Sequence, residues 1–393
     1  MSMDLCRSTY GDLAGGDTRA HRHLSDGAFL AAIVEFERAL TDAAEDCGAI
    51  TAADAQAARG ALDRYVLDVA EISAASVSGG TPTIPIAAGL KKLTPDNTAG
   101  IHVGATSQDG VDTALALCAR RAGGVIVAQA RDVVALLAGQ ARTHRLTPVM
   151  GRTLGQQALP TTFGLIAAGW AEGVDRAAGE LERAFLALPV QYAGATGNLA
   201  ATHPHGIEIH DRLAERLGLA DRPLVWHTNR LPFTTVATAA AQLAGSVRKV
   251  AGDIIAHSVT EIGELREPTP GGSSSMPHKA NPAAAVACDG YARRTPGLAA
   301  TLLDALDCRW QRGVGSWHAE WQSLRDLLAA TASAVARLHA SLDGIHVDTD
   351  AMARNMTRTG NGPDDATGHA GEIVDLILAG LTDRTDRTDP AHQ

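Results

Sequence analysis

The sequence predicts an all-α fold, an elongated bundle of long helices with smaller helical segments at its ends, on three observations. Apolar residues recur in steps of four and three over long runs, most clearly at Val236, Ala240, Leu243, Val247, Val250 and Ile254, a seam spanning about five turns of helix. The composition is 45% apolar but only 4% aromatic, with 40 glycines, so the interior must be built from small aliphatic side chains in close contact, as helix-on-helix packing provides. The chain has 393 residues, enough for two or three domains or one elongated one, and no 20–50-residue period recurs, which excludes a solenoid.

Residues 1–25 read as a polar, glycine-rich leader, after which Ser25-Asp26 should cap a helix carrying Phe29, Ile33, Phe36 and Leu40. Thr51 should open a second helix with Ala57, Leu62, Val66 and Val69, ended by a loop from Ser76 to Pro85, and residues 86–108 are mixed. From Val111 onward helical runs dominate, around 120–143 (Val127, Ala130, Val134, Leu137), 163–187, the 236–254 seam and 284–306. Gly245 and Gly252 lie in the seam helix and each cost about 1 kcal/mol relative to alanine, which makes sense where neighbouring helices approach closely. After Val347 one short apolar stretch remains (Ile373, Val374, Leu376, Ile377, Leu381), followed by the tail TDRTDRTDPAHQ, expected to be disordered. The chain thus divides into an N-terminal helical part (1–110), a central bundle (111–345) and a short C-terminal segment (346–393). So long and alanine-rich a bundle should complete its core by oligomerising.

Lys and Arg number 34 against 44 Asp and Glu, a formal charge of −10, which argues against a nucleic-acid or anionic-membrane partner. An anionic ligand would have to be met by locally gathered positive charge. Five scattered cysteines (Cys6, Cys47, Cys118, Cys288, Cys308) without a CxxC pair suit a reduced, cytoplasmic protein. The first 25 residues carry charges where a signal peptide needs an apolar run, and no 18-residue uninterrupted apolar segment occurs. Phosphate-loop, dinucleotide, zinc-protease and nucleophile-elbow motifs are missing, so no cofactor or metal is expected.

What stands out is Gly271 to Pro282, GGSSSMPHKANP. Glycines let such a loop move, the serine N–H groups can receive an anion, and Lys279 adds a point charge. Two further blocks are His102–Thr113 (HVGATSQDGVDT) and Gly151–Gly164 (GRTLGQQALPTTFG). In this order the three resemble the fumarase/aspartase superfamily, whose signature GSSxMPxKxNP is matched at every specified position. The likeness runs from about residue 25 to 345. The block GATSQD, Trp226–Arg230 (WHTNR) and Trp317–Trp321 (WHAEW) resemble most the muconate cycloisomerase branch.

That resemblance implies proton transfer at carbon beside a carboxylate, coupled to loss or addition of a group at the neighbouring carbon. In the cycloisomerase branch it implies conversion of 3-carboxy-cis,cis-muconate to 4-carboxymuconolactone, a small polycarboxylate substrate, no metal or cofactor, and a homotetramer whose sites draw on three subunits. Carried over by motif, Ser273 is the general acid/base, and Lys279 with Asn281 stabilises the intermediate. Thr106, Ser107, Gln108, His102, Thr153, Gln156 and Ser274 bind substrate, with Arg230 and Arg312 as carboxylate anchors. Arg152 and Lys249 read as ordinary surface or structural charges. Leu154 and Gln157 stand where some relatives carry histidines, which leaves a second acid/base unassigned. A fumarate-releasing lyase, of the nitrosuccinate type, is the alternative on the same scaffold; an adenylosuccinate-type activity fits less well because of Leu154 and Trp317. A non-catalytic member would have no need of intact Ser273, Lys279 and Asn281.

Overall fold

Ser25 Oγ accepts the Ala28 N–H at 3.2 Å and starts α1 (Asp26–Asp46), which buries Leu30, Ile33, Phe36 and Leu40 on one face. The computed structural model describes residues 15–16, 19–357 and 367–388, so most of the leader and Cys6 lie outside the described residues. Thr51 and Asp54 cap each other's backbone at the start of α2 (Ala52–Arg64). The helix expected to run through Val69 stops at Arg64. Val66 is exposed, and the Asp68 carboxylate accepts the Glu71 N–H to open a separate α3 (Val69–Ser76). The expected loop to Pro85 is also shorter, because α4 (Thr83–Lys92) takes Pro85 into its first turn, where a missing N–H costs no helical bond.

The long elements are α5 (Ser107–Thr143), a hairpin of β1 (Pro148–Thr153) and β2 (Gln156–Thr162), α6 (Phe163–Leu186), the short α7 (Gly206–Leu217), α8 (Leu231–His257), a two-residue β3 (Leu265–Arg266), α9 (Ala283–Asp304) and α10 (Ser316–Leu342). β4 (His346–Val347), α11 (Thr349–Thr357) and α12 (Ala370–Thr388) follow. The fold class is therefore helical as predicted, and every residue of the 236–254 seam is buried in α8. The antiparallel hairpin is the departure, because the sequence of its block marks a site motif and no strand, and β3 pairs with β4 in a second small ladder. α12 continues to Thr388, so the helix extends into the segment expected to be disordered; residues 389–393 lie outside the described residues.

The five long helices form a closed ring of contacts, α5 on α6, α6 on α8, α8 on α9, α9 on α10 and α10 on α5. Arg230, just before α8, bonds to Asp112 in the second turn of α5 and to Glu320 in the second turn of α10. These three helices therefore start at one end of the bundle and run parallel, while α6 and α9 return. Close approach inside the chain is made by other glycines than expected. A Cβ on Gly123 would meet the Phe185 ring at 2.2 Å and one on Gly164 would meet the Arg145 Cα at 2.6 Å, whereas Gly245 and Gly252 face open space. α5 is long and apolar enough to cross a membrane by length and composition, but most of that stretch is buried against its neighbours.

Candidate active site

The signature segment leaves α8 through β3 and returns as the start of α9. Pro282 precedes α9 and cannot cap it with a side chain, so the buried Glu267 does so instead, its two oxygens accepting the N–H groups of Ala284 and Ala285 at 3.1 and 2.8 Å. A pair of backbone bonds between Gly271 and Asn281 closes the base of the loop. The Asn281 amide donates to the carbonyls of Gly271 and Gly272, both at 3.1 Å, so Asn281 braces the loop's own neck with the N–H groups expected to serve the substrate. Above that neck Ser274 and Lys279 are exposed, and no carboxylate pairs with Lys279 among the described residues. Ser273 is half-buried, and its Oγ accepts the N–H groups of Met276 at 3.2 Å and Ser275 at 3.4 Å. Donors aimed at a hydroxyl oxygen stabilise it as it loses its proton.

The first block lies at the start of α5. Asp109 is fully buried and organises it: one oxygen accepts from His227 Nε2 (2.6 Å) and the Ala193 N–H (3.2 Å), the other from the N–H groups of Thr106 (2.9 Å) and Gly194 (3.0 Å). Thr106 and Ser107 are half-buried at the helix start, where the helix dipole favours an anion. His102 is also half-buried, with Nδ1 2.6 Å from Glu37. Burial alone would lower its pKa, but the Glu37 charge and hydrogen bond outweigh it and the His102 pKa is raised. Arg312 reaches this end too, donating to the Gly194 carbonyl at 2.8 Å, with no carboxylate paired to it among the described residues.

Two expected substrate contacts are corrected here. Gln108 is buried, its amide donating to the Asp112 carboxylate (3.0 Å) and the His227 carbonyl (2.8 Å). Arg230 has no exposed surface. Its guanidinium is held by Asp112 at 2.8 and 3.0 Å and by Glu320 at 2.6 to 3.1 Å, against the rings of Trp226 and Phe233. With both carboxylates already engaged, Arg230 is the rivet of the helix starts and has no face left for a ligand.

Thr153 and Gln156 flank the hairpin turn, both exposed. The turn itself is Leu154-Gly155 with φ of +52° and +77°, a two-residue turn of the kind matched to strand twist, and its leucine is fully exposed. Arg152 at the hairpin's stem grips the buried Glu264 at 2.6 and 3.0 Å, and Glu264 also receives His257 and Asn355. Burial pushes the Glu264 pKa up, but these hydrogen bonds prevail and bring it down to about 2. The hairpin is thereby locked to the end of α8, beside β3 and the signature loop.

The predicted residues therefore form two groups at opposite ends of one chain. His102, Thr106, Ser107 and Arg312 sit where α5, α8 and α10 begin; Thr153, Gln156, Ser273, Ser274, Lys279 and Asn281 sit where α5 and α8 end. At 1.5 Å per residue the 27-residue α8 alone holds them about 40 Å apart. Among the described residues no group of His, Cys, Asp and Glu is set to hold a metal ion.

Residues 19–297 match a lyase family model. The chain belongs to the fumarase/aspartase lyase superfamily. This lyase is similar to a nitrosuccinate lyase of Streptomyces davaonensis, 39% identical over 352 residues, 86% of this chain and 74% of the relative. It is also similar to a 3-carboxy-cis,cis-muconate cycloisomerase of Bradyrhizobium diazoefficiens, 36% identical over 375 residues, 93% of this chain and 81% of that one. A crystal structure of 3-carboxy-cis,cis-muconate lactonizing enzyme from Pseudomonas putida superimposes with a TM-score of 0.81 at 30% identity, covering 96% of the lyase and 88% of that chain.

Sequence reasoning missed the acidic residues that hold the site: Asp109, Asp112, Glu320, Glu264, Glu267 and Glu37. Asp109 and Asp112 lie inside the first block and three residues apart, one helical face, which is the signal that could have marked them as buried partners of a base. Glu267 and Glu37 lie in no motif.

Proposed function

We propose that this enzyme is a cycloisomerase acting on 3-carboxy-cis,cis-muconate, and that it works as a homotetramer. The observation that carries the chemistry is the Ser273 hydroxyl, receiving two backbone N–H groups in a loop that also bears the unpaired Lys279. In the proposed reaction one substrate carboxylate oxygen bonds to a carbon of the double bond. The π electrons move to the adjacent carbon, where a neighbouring carboxylate takes up the charge, and Ser273 gives that carbon its proton. The serine alkoxide is held by the Ser275 and Met276 N–H groups and by Lys279 until solvent returns the proton. Thr106, Ser107 and Arg312 would bind the remaining carboxylates, within an otherwise acidic protein.

Two observations support a shared site. The groups separated by about 40 Å of helix cannot serve one substrate unless another copy brings its opposite end alongside. Between α6 and α8 lies an open groove of about 860 Å³ lined by Gly169, Gly173, Gly245, Leu165 and Ile166, a face on which a neighbouring bundle can seat closely.

The second reading is a nitrosuccinate lyase, favoured by the 39% identity to that relative. The same Ser273 alkoxide would take the proton beside a carboxylate while nitrite leaves with the C–N electron pair. Incubating purified protein with 3-carboxy-cis,cis-muconate, nitrosuccinate and adenylosuccinate, and following diene absorbance, nitrite and fumarate, separates them. Loss of the diene supports the first reading; nitrite release with an unchanged diene replaces it by the second.

A further inference from the structure

His102 precedes α5 with φ of +58°, a left-handed conformation costly for a residue with a side chain. What holds it there is Glu37, on α1 and 65 residues away. One Glu37 oxygen accepts the His102 backbone N–H at 3.0 Å, and the other lies 2.6 Å from Nδ1. Glu37 is 1% exposed, so a buried carboxylate directs both oxygens at a single residue. A charge so placed is stabilised by a cation beside it, and it requires Nδ1 to be the donor. No other hydrogen bond engages the His102 ring among the described residues, which leaves Nε2 for a ligand.

We propose that Glu37 is a positioning residue that holds His102 as an imidazolium, whose Nε2–H binds a substrate carboxylate at the start of α5. The inference rests on the proposed function for the identity of that anion. The charged groups acting on the ring are Glu37 from α1, Asp109 from α5 and Lys91 from α4. The two carboxylates favour the cation and outweigh Lys91 and burial, so the charge is present below the raised pKa and lost as pH rises through it. This supplies the acidic protein with a second cation beside Arg312. It also defines the enzyme's alkaline limit.

The test is the pH profile of kcat/KM for wild type and Glu37→Gln, with the inhibition constant of tricarballylate, whose carboxylates are ionised throughout pH 7 to 9. Glu37→Gln keeps the side chain's shape and removes its charge. Its alkaline limb should move to lower pH, so the variant should lose clearly more kcat/KM relative to wild type at pH 8 than at pH 6. Tricarballylate should weaken in parallel. An unchanged limb in the folded variant overturns the proposal. If Glu37→Gln fails to fold, His102→Asn decides: it should lack the limb, and retention of the limb overturns the proposal. If wild type turns over none of the three substrates, the function reading fails separately, and the inference stands or falls on whether tricarballylate binding carries the Glu37-dependent limb.

Discussion

Replacing Arg230 by leucine separates a scaffold from a substrate anchor. The substitution leaves two carboxylates buried where three helices begin. Asp112 keeps Trp317 Nε1 at 2.9 Å and Gln108 Nε2 at 3.0 Å, but Glu320 loses the guanidinium that donates the hydrogen bonds its carboxylate accepts. Burial already raises the Glu320 pKa in the presence of Arg230, so without it the carboxyl takes up a proton and stays. Breaking one partner of a buried pair costs about 3–5 kcal/mol, and for a chain of this size that is a fall of roughly 4–6 °C in unfolding temperature. Adding Glu320→Leu to Arg230→Leu should return part of the loss, because an apolar pair replaces a buried carboxyl left without its partner. The assay is calorimetry at one fixed scan rate beside steady-state kinetics. Arg230→Leu with an unchanged unfolding temperature and a KM raised tenfold would refute the reasoning, for it would mean the side chain reaches the substrate.

Ser273→Ala should lower kcat by roughly 10²–10⁴-fold with an unchanged unfolding temperature, since the loop carries no core packing; full turnover would remove Ser273 from the mechanism. The Glu264 carboxyl, held at about 2, contributes stability that is complete above its ordinary value near 4.5 and is lost as pH falls toward 2, about 3 kcal/mol in all. Glu264→Gln should therefore lower the unfolding temperature at pH 7 and flatten its acid dependence. Gly123→Ala drives a methyl into the Phe185 ring between α5 and α6 and should cost about 1–3 kcal/mol, read as the urea midpoint; a neutral effect would mean the two helices can part without loss.

The long helices are legible in the sequence because a 3–4 apolar period is a local signal, and the α8 seam carries it without interruption. The hairpin is not, because its turn is Leu154-Gly155 where the familiar signal would be Asn-Gly, and its strands do not alternate cleanly. Within the candidate site the signature loop is legible as a unit, down to Ser273 and Lys279. The arginines are not: Arg230 and Arg312 both stand in motif contexts. What distinguishes them is a pair of carboxylates 118 and 90 residues away that consume one and leave the other, which no local pattern records. Asn281 shows the same limit, since its motif position does not reveal that its amide is spent on the loop's own carbonyls.

The central claim is that the two ends of one chain serve different sites. Ser273→Ala and Arg312→Ala subunits, each inactive alone, can be mixed at equal amounts, dissociated in mild denaturant and reassembled. If the loop and the α5 end come from different subunits, random mixing leaves about a quarter of the sites with neither substitution, and activity should return to about that fraction of wild type. If the mixture stays as inactive as either parent while reassembling into oligomers, both groups belong to one chain's site and the account is contradicted.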